Sequence, residues 1–148
     1  MHVTNSPKSN YPVLSGGNLK FATASDGRKV RFGLWPSGSK GLLVFFNGRN
    51  EYLEKYNETY KKFQNLGYAV LAFDWRGQGL SEREKKLEHL GYVQSFAEYQ
   101  LDVQAVLNRT EVKKIIGPRF LVAHSTGGCI GLRTLTNREF AFERAIFL

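Results

Sequence analysis

The stretch Phe120-Leu121-Val122-Ala123-His124-Ser125-Thr126-Gly127-Gly128 decides how the rest of the chain is read. Its apolar first half is a short run of the kind that fills a strand covered on both faces. Its second half opens a helix. Ser125 lies at the junction, with the small residues Ala123 and Gly127 two positions to either side. A bend this tight strains the serine backbone and bares its hydroxyl, and bulk at 123 or 127 would collide with the adjoining strand and helix. The helix N-terminus aims unpaired N–H groups at the bend, so the Thr126 N–H can face negative charge developing there.

Upstream, strand and helix patterns alternate. Leu19–Thr23 and Val30–Trp35 alternate apolar and polar residues around Ser25-Asp26-Gly27, which predicts a β-hairpin. Gly41–Phe46 and Tyr68–Phe73 are solid apolar runs and predict buried strands. Between them Leu53, Tyr56, Tyr60 and Phe63 share one helical stripe that Gly67 ends. Ser81–Glu88 alternates charge signs and reads as a solvated loop. Phe96, Tyr99, Val103, Val106 and Leu107 mark a second amphipathic helix, in which Asp102 reads as solvated or helix-pairing. Ala145–Leu148 begins a further strand. This order predicts an α/β fold, a mostly parallel sheet with an N-terminal hairpin and helices on both faces, breaking off near the sixth strand. Residues 1–16 read as a flexible lead-in and 17–148 as one part-domain.

Composition narrows the function classes. Of 148 residues, 42% are hydrophobic and 14% aromatic, enough for a core. The longest apolar run, Leu42–Phe46, is far short of the roughly 20 residues of a spanning helix. The N-terminus has no apolar h-region, and the single cysteine, Cys129, forms no internal disulfide, so a cytoplasmic location is expected. Cys129 reads as a small buried residue. The formal charge of +8 is spread evenly, with 10 basic and 5 acidic groups in residues 1–75 and 11 and 8 in the remainder. A nucleic-acid binder clusters its charge, so none is expected as partner. A diffuse positive charge suits solubility first, and is also compatible with peripheral contact with an anionic membrane, the inner membrane in a bacterium.

The junction resembles the nucleophile elbow G-x-S-x-G of the α/β-hydrolase superfamily, with Ala123 for the first glycine. Two further motifs occur in the order that this superfamily requires. Asn47-Gly48-Arg49-Asn50-Glu51 is similar to the H-G-x-x-E stretch of bacterial lysophospholipases and monoacylglycerol lipases, with Asn47 replacing the histidine. Asp74-Trp75-Arg76-Gly77-Gln78-Gly79-Leu80-Ser81-Glu82 is similar to their D-x-R-G-x-G-x-S-E signature. The resemblance implies a serine hydrolase of carboxylic esters, acting on lipids or small esters with no metal or organic cofactor. Ser125 would be the nucleophile and the N–H groups of Arg49 and Thr126 the oxyanion hole. Gly48 would let the backbone approach the substrate, and Asn47, Glu51 and Gly127 would support the two loops. Asp74 and Arg76 read as a loop-bracing ion pair rather than as catalytic groups.

A serine nucleophile needs a base and an acid that orients it, and this superfamily carries them after the serine, aspartate first and histidine last. The residues from Thr126 to Leu148 contain neither type. His124 adjoins the serine, but neighbouring side chains at a strand end point apart, so it reads as a structural residue. His89 lies in the charged loop and His2 in the lead-in. The polypeptide by itself is therefore expected to turn over esters poorly. A non-catalytic hydrolase-like module that binds a partner or lipid surface is the competing expectation. A dinucleotide site fits less well: Thr126–Gly131 imitates G-x-G-x-x-G without its first glycine or its later acidic residue.

Overall fold

The apolar runs build the centre of the sheet. In a computed structural model that describes residues 14–148, β3 (Leu42–Phe46) and β4 (Ala69–Phe73) are buried along their whole length. The expected lead-in falls outside the described residues as far as position 13. A hairpin of β1 (Asn18–Thr23) and β2 (Lys29–Trp35) joins one side of the sheet, β2 running antiparallel to β4. On the other side β5 (Arg119–Ala123) and β6 (Arg144–Phe147) run parallel to β3. The six-stranded order is β1-β2-β4-β3-β5-β6. The predicted hairpin, parallel strands and helices on both faces are thus all present.

One face of the sheet packs Trp35, Phe45, Val70 and Ala72 against Leu53 and Tyr60. The helical stripe found in the sequence begins there as a 3-10 turn, Leu53–Tyr56, and continues as α1 (Asn57–Asn65). Gly67 ends it at φ +92°, a conformation that a side chain would strain. The opposite face packs Phe32, Phe46, Phe73 and Leu121 against α2 (Glu98–Leu107) and α4 (Thr126–Thr136). Burying Val103, Val106, Leu107 and Ile130 there removes their side chains from water, each contributing about 1.5–3 kcal/mol. A single-turn helix α3 (Thr110–Lys113) follows α2 and was too short to show a period in the sequence. Among the described residues no helix is long and apolar enough to cross a membrane.

Two readings of charged residues need correction. Asp102 is not solvated: the stripe that buries Tyr99, Val103 and Val106 carries it inside as well. There it accepts from the Arg76 backbone N–H at 3.0 Å and from its Nε at 2.8 Å. Asp74 and Arg76 do not pair with one another. The chain turns sharply after β4, so Asp74 meets Arg31 at 3.2 Å and the Leu53 and Leu80 N–H groups at 2.8 and 3.0 Å. Arg76 goes to the α2 side, where Asp26 and Glu98 also reach it at 2.6 and 3.1 Å. The loop after Ser81 exposes Glu82, Lys85, Lys86 and Glu88 as expected, and it is also anchored. Ser81 is buried, its hydroxyl donating to the Asp74 carbonyl at 2.7 Å, and the Arg83 guanidinium donates to the carbonyls of Gly77, Gly79 and Glu88.

Removing one partner of a buried ion pair leaves an uncompensated charge, which is costlier than losing the pair itself. Asp102→Ala is therefore expected to destabilise the fold by about 3–5 kcal/mol, seen as a lower urea midpoint at unchanged slope. Glu58→Ala, which opens the exposed Lys61 pair and a long surface bond from Asn57, is the control and should leave the midpoint nearly in place.

Candidate active site

Strand register brings the site together. Phe46 and Ala123 are neighbours in the β3–β5 ladder, so the residues just past them emerge side by side. The chain runs from β3 to β4 on one side and then crosses to β5 on the other, which opens a crevice at the carboxyl ends of these strands. Ser125 stands on this edge as N-cap of α4, at φ 53° and ψ −122°. A non-glycine residue there costs on the order of 1–3 kcal/mol and persists only where its surroundings impose it. They do so with four backbone bonds. His124 N–H donates to Phe46 O at 3.0 Å and Ser125 N–H to Leu148 O at 3.0 Å. Gly127 N–H donates to His124 O at 2.9 Å and Gly128 N–H to Ser125 O at 2.8 Å.

The reason for a small residue at 127 is direct. A Cβ on Gly127 would lie 2.2 Å from the Phe46 carbonyl oxygen and 2.6 Å from that of Asn47. Ala123 is wholly buried on the other side of the bend. Ser125 itself is exposed, and among the described residues its hydroxyl has no hydrogen-bond partner. The Thr126 N–H opens α4 and, like the Arg49 N–H, has no acceptor among the described residues.

The loop after β3 carries Asn47, Gly48, Arg49 and Glu51. Asn47 is buried and ties this loop to the end of β4: its Nδ2 donates to Phe73 O at 3.3 Å, and its own carbonyl accepts from Trp75 Nε1 at 2.7 Å. Arg49 is exposed, and its guanidinium donates to Leu90 O at 3.1 Å. Asn50 turns the chain at φ 60°, its N–H held by the Gln78 side chain. Glu51 reaches back, accepting from Gly48 N–H at 2.5 Å and meeting His124 Nδ1 at 3.1 Å. Burial pushes the Glu51 carboxyl up, but Lys55, the Gly48 N–H, His124 and the Tyr56 hydroxyl outweigh it and hold the group down at about 2.

Of the residues singled out in the sequence, Asn47, Gly48, Arg49, Glu51, Ser125, Thr126 and Gly127 converge. Asp74 and Arg76 do not. They brace the scaffold beneath, and burial pushes the Asp74 carboxyl up to about 6. His89 is exposed, at the edge of a polar pocket shared with Asn50, Gln78 and Arg83. Cys129 is exposed, contrary to its reading as buried, because α4 buries Gly127, Ile130, Gly131 and Thr134 and position 129 falls off that stripe. Lys55, Tyr56 and Gln78 were missed. Lys55 follows Glu51 by four residues, the one signal the sequence offered. An apolar groove of about 450 Å³, walled by Phe45, Phe63, Val122 and Ile146, opens beside His124.

The family profile of serine aminopeptidase S33 (Hydrolase_4) matches residues 37–148. The chain belongs to that family. It is 31% identical over 110 residues to a probable lysophospholipase L2 of Haemophilus influenzae, an alignment covering 74% of this chain and 34% of that protein. It is 28% identical over 133 residues to the monoglyceride lipase of Rattus norvegicus, covering 88% and 42%. The S33 chain thus spans less than half the length of either relative. An alpha/beta hydrolase from Novosphingobium aromaticivorans superposes with a TM-score of 0.70 at 17% identity, over 91% of this chain and 45% of that one. Together with the sheet order, that likeness identifies the α/β-hydrolase fold.

Two measurements check this geometry. Gly127→Ala drives a methyl group into backbone and is expected to destabilise by about 1–3 kcal/mol or more. Gly128→Ala, whose Cβ would meet only Phe147 at an ordinary 3.5 Å, should be neutral or stabilising. The Glu51 carboxyl, lower when folded than the usual 4.5, contributes stability that is present above about pH 4.5 and lost as the pH falls through about 2. The stability gap between wild type and Glu51→Gln should therefore be full at pH 6 and shrink steadily towards pH 2 in denaturant titrations.

Proposed function

We propose that this S33 chain carries the nucleophile and oxyanion hole of a serine hydrolase that cleaves carboxylic esters of lysophospholipids or monoacylglycerols. The observation that carries this reading is Ser125, held at φ 53° with an exposed, unpartnered hydroxyl at the N-terminus of α4. Its oxygen attacks the ester carbonyl as a general base takes the hydroxyl proton, and the carbonyl π electrons move to oxygen. On collapse of the tetrahedral adduct the C–O bond to the leaving group breaks while the base returns that proton to the departing alcohol, leaving an acyl-enzyme. The Arg49 and Thr126 N–H groups receive the oxyanion, each worth about 2.7–4 kcal/mol in comparable sites. Water then attacks the acyl-enzyme and releases the fatty acid. The names of the two relatives support a lipid ester as substrate, and the apolar groove beside His124 suits an acyl chain. Diffuse positive charge favours peripheral contact with the anionic surface where such lipids reside.

The residues from Thr126 to Leu148 contain no aspartate or histidine, the types that would supply the acid and the base. His124 is already engaged with Glu51. A second reading, a non-catalytic module that binds a lipid surface, draws on Ile146, Phe147 and Leu148, which are large, apolar and exposed.

Added imidazole can stand in for the base. Fluorophosphonate labelling of the 148-residue chain is expected to be slow, to rise with imidazole concentration, to map to Ser125 and to vanish in Ser125→Ala. Label on another residue, or none at any imidazole concentration, would refute the nucleophile and favour the binding module. Rapid lysophospholipid hydrolysis without imidazole, abolished by Ser125→Ala, would instead show that the base lies within these residues.

A further inference from the structure

The Glu51 carboxylate sits between the two loops on which the proposed chemistry depends, and it is almost fully buried, with 7% of its side chain exposed. Each of its oxygens is approached by two donors. Oε2 accepts from the Gly48 N–H at 2.5 Å and faces His124 Nδ1 at 3.1 Å. Oε1 accepts from Lys55 Nζ at 2.5 Å and from the Tyr56 hydroxyl at 2.9 Å. A carboxylate offers about four lone-pair sites, so this one is saturated. Its donors come from three separate pieces of chain: the loop after β3, the 3-10 turn before α1, and the strand end that leads into Ser125.

We propose that Lys55, Tyr56 and His124 are positioning residues that act through Glu51, locking the Arg49 and Thr126 N–H groups into one fixed oxyanion hole. This rests on the reading of Ser125 as nucleophile. The Gly48 bond sets the Asn47–Gly48 peptide, one peptide before the Arg49 N–H. His124 is bonded covalently to Ser125, and its ring ties the bend to the same carboxylate. An ionised carboxylate only accepts, so His124 carries its proton on Nδ1. Lys55 and Tyr56 hold the opposite oxygen and so aim the carboxylate, as charge-assisted bonds do most strongly. The packing at Gly48 leaves no slack: a Cβ there would lie 2.9 Å from Glu51 Oε2 and 3.0 Å from His124 Nδ1.

A purely structural role predicts something different. Lys55 is about half exposed and lies four residues from Glu51, a pairing that adds little to fold stability. Its value lies in direction, because oxyanion donors work only when held in place before the reaction.

The test compares Lys55→Met, Tyr56→Phe and the conservative Lys55→Arg with wild type in the 148-residue chain. Tyr56→Phe keeps the ring in the apolar cluster and guards against a folding failure. Three signals are read: hydrogen exchange at the Gly48 amide, the ¹⁵N shifts that report the His124 tautomer, and the rate of imidazole-supported phosphonylation of Ser125. In Lys55→Met, Gly48 exchange should rise and phosphonylation fall by about 10-fold, a larger loss than the accompanying drop in urea midpoint accounts for. His124 should lose its uniform Nδ1–H signature, and Lys55→Arg should restore all three signals. Unchanged Gly48 and His124 signals in both Lys55→Met and Tyr56→Phe would overturn the proposal. So would a labelling rate that tracks only stability. If wild type fails to label at all, the nucleophile reading falls, while the Gly48 and His124 signals still decide whether the clamp exists.

Discussion

Gly127 meets the end of β3 with no room for a methyl group, and the site depends on that contact. The carbonyls of Phe46 and Asn47 stand where a side chain at 127 would project. Only with this approach can α4 start immediately after β5. Only then does the residue between them bend to positive φ and turn its hydroxyl outward. The strain at Ser125 is held by neighbouring elements rather than by the serine: the end of β3 accepts from His124, and Leu148 accepts from Ser125. A positive-φ bend is thus maintained by ordinary backbone packing.

Charge inside the molecule follows the same economy of position. Arg31 with Asp74 and Glu54, and Arg76 with Asp102, Asp26 and Glu98, flank the turn after β4 on opposite faces of the sheet. Buried ion pairs of this kind add little net stability over apolar contacts, yet they penalise any arrangement that separates them. Their effect here is to fix the path of residues 74–83 beneath the loop after β3, which Asn47, Gln78 and Trp75 tie to the end of β4. The signature Asp74–Glu82 is therefore a scaffold, with the loop after β3 and the bend at Ser125 lying above it. Glu51 joins the loop after β3 to that bend, accepting from Gly48 N–H and facing His124 Nδ1.

Membership of the S33 family agrees with this division. Residues 37–148, which match the family, hold the strands and loops that meet at Ser125, and the two relatives devote more than half of their length to sequence beyond the aligned stretch. On β6, Ile146 and Phe147 are exposed, and Ile146 also walls the apolar groove.

Much of this was legible in the residues alone, because strands and tight bends are local events. Apolar runs at 42–46 and 69–73, the stripe from Leu53 to Phe63 and the small residues around Ser125 each state their structure within a few positions. The convergence of the loop after β3 with the bend at Ser125 was expected only through the resemblance to the α/β-hydrolase superfamily. Partners of charged side chains were another matter. Asp102 pairs with Arg76 across 26 residues, and Asp74 with Arg31 across 43, distances that no periodic pattern encodes. The register that sets Phe46 beside Ala123 decides which loops touch, and with it which donors surround Glu51. Sequence determined what each segment would become, since backbone sterics and hydrophobic period act over short range; the tertiary structure alone decided which charges and which N–H groups would face one another, since that follows from how the finished segments stack.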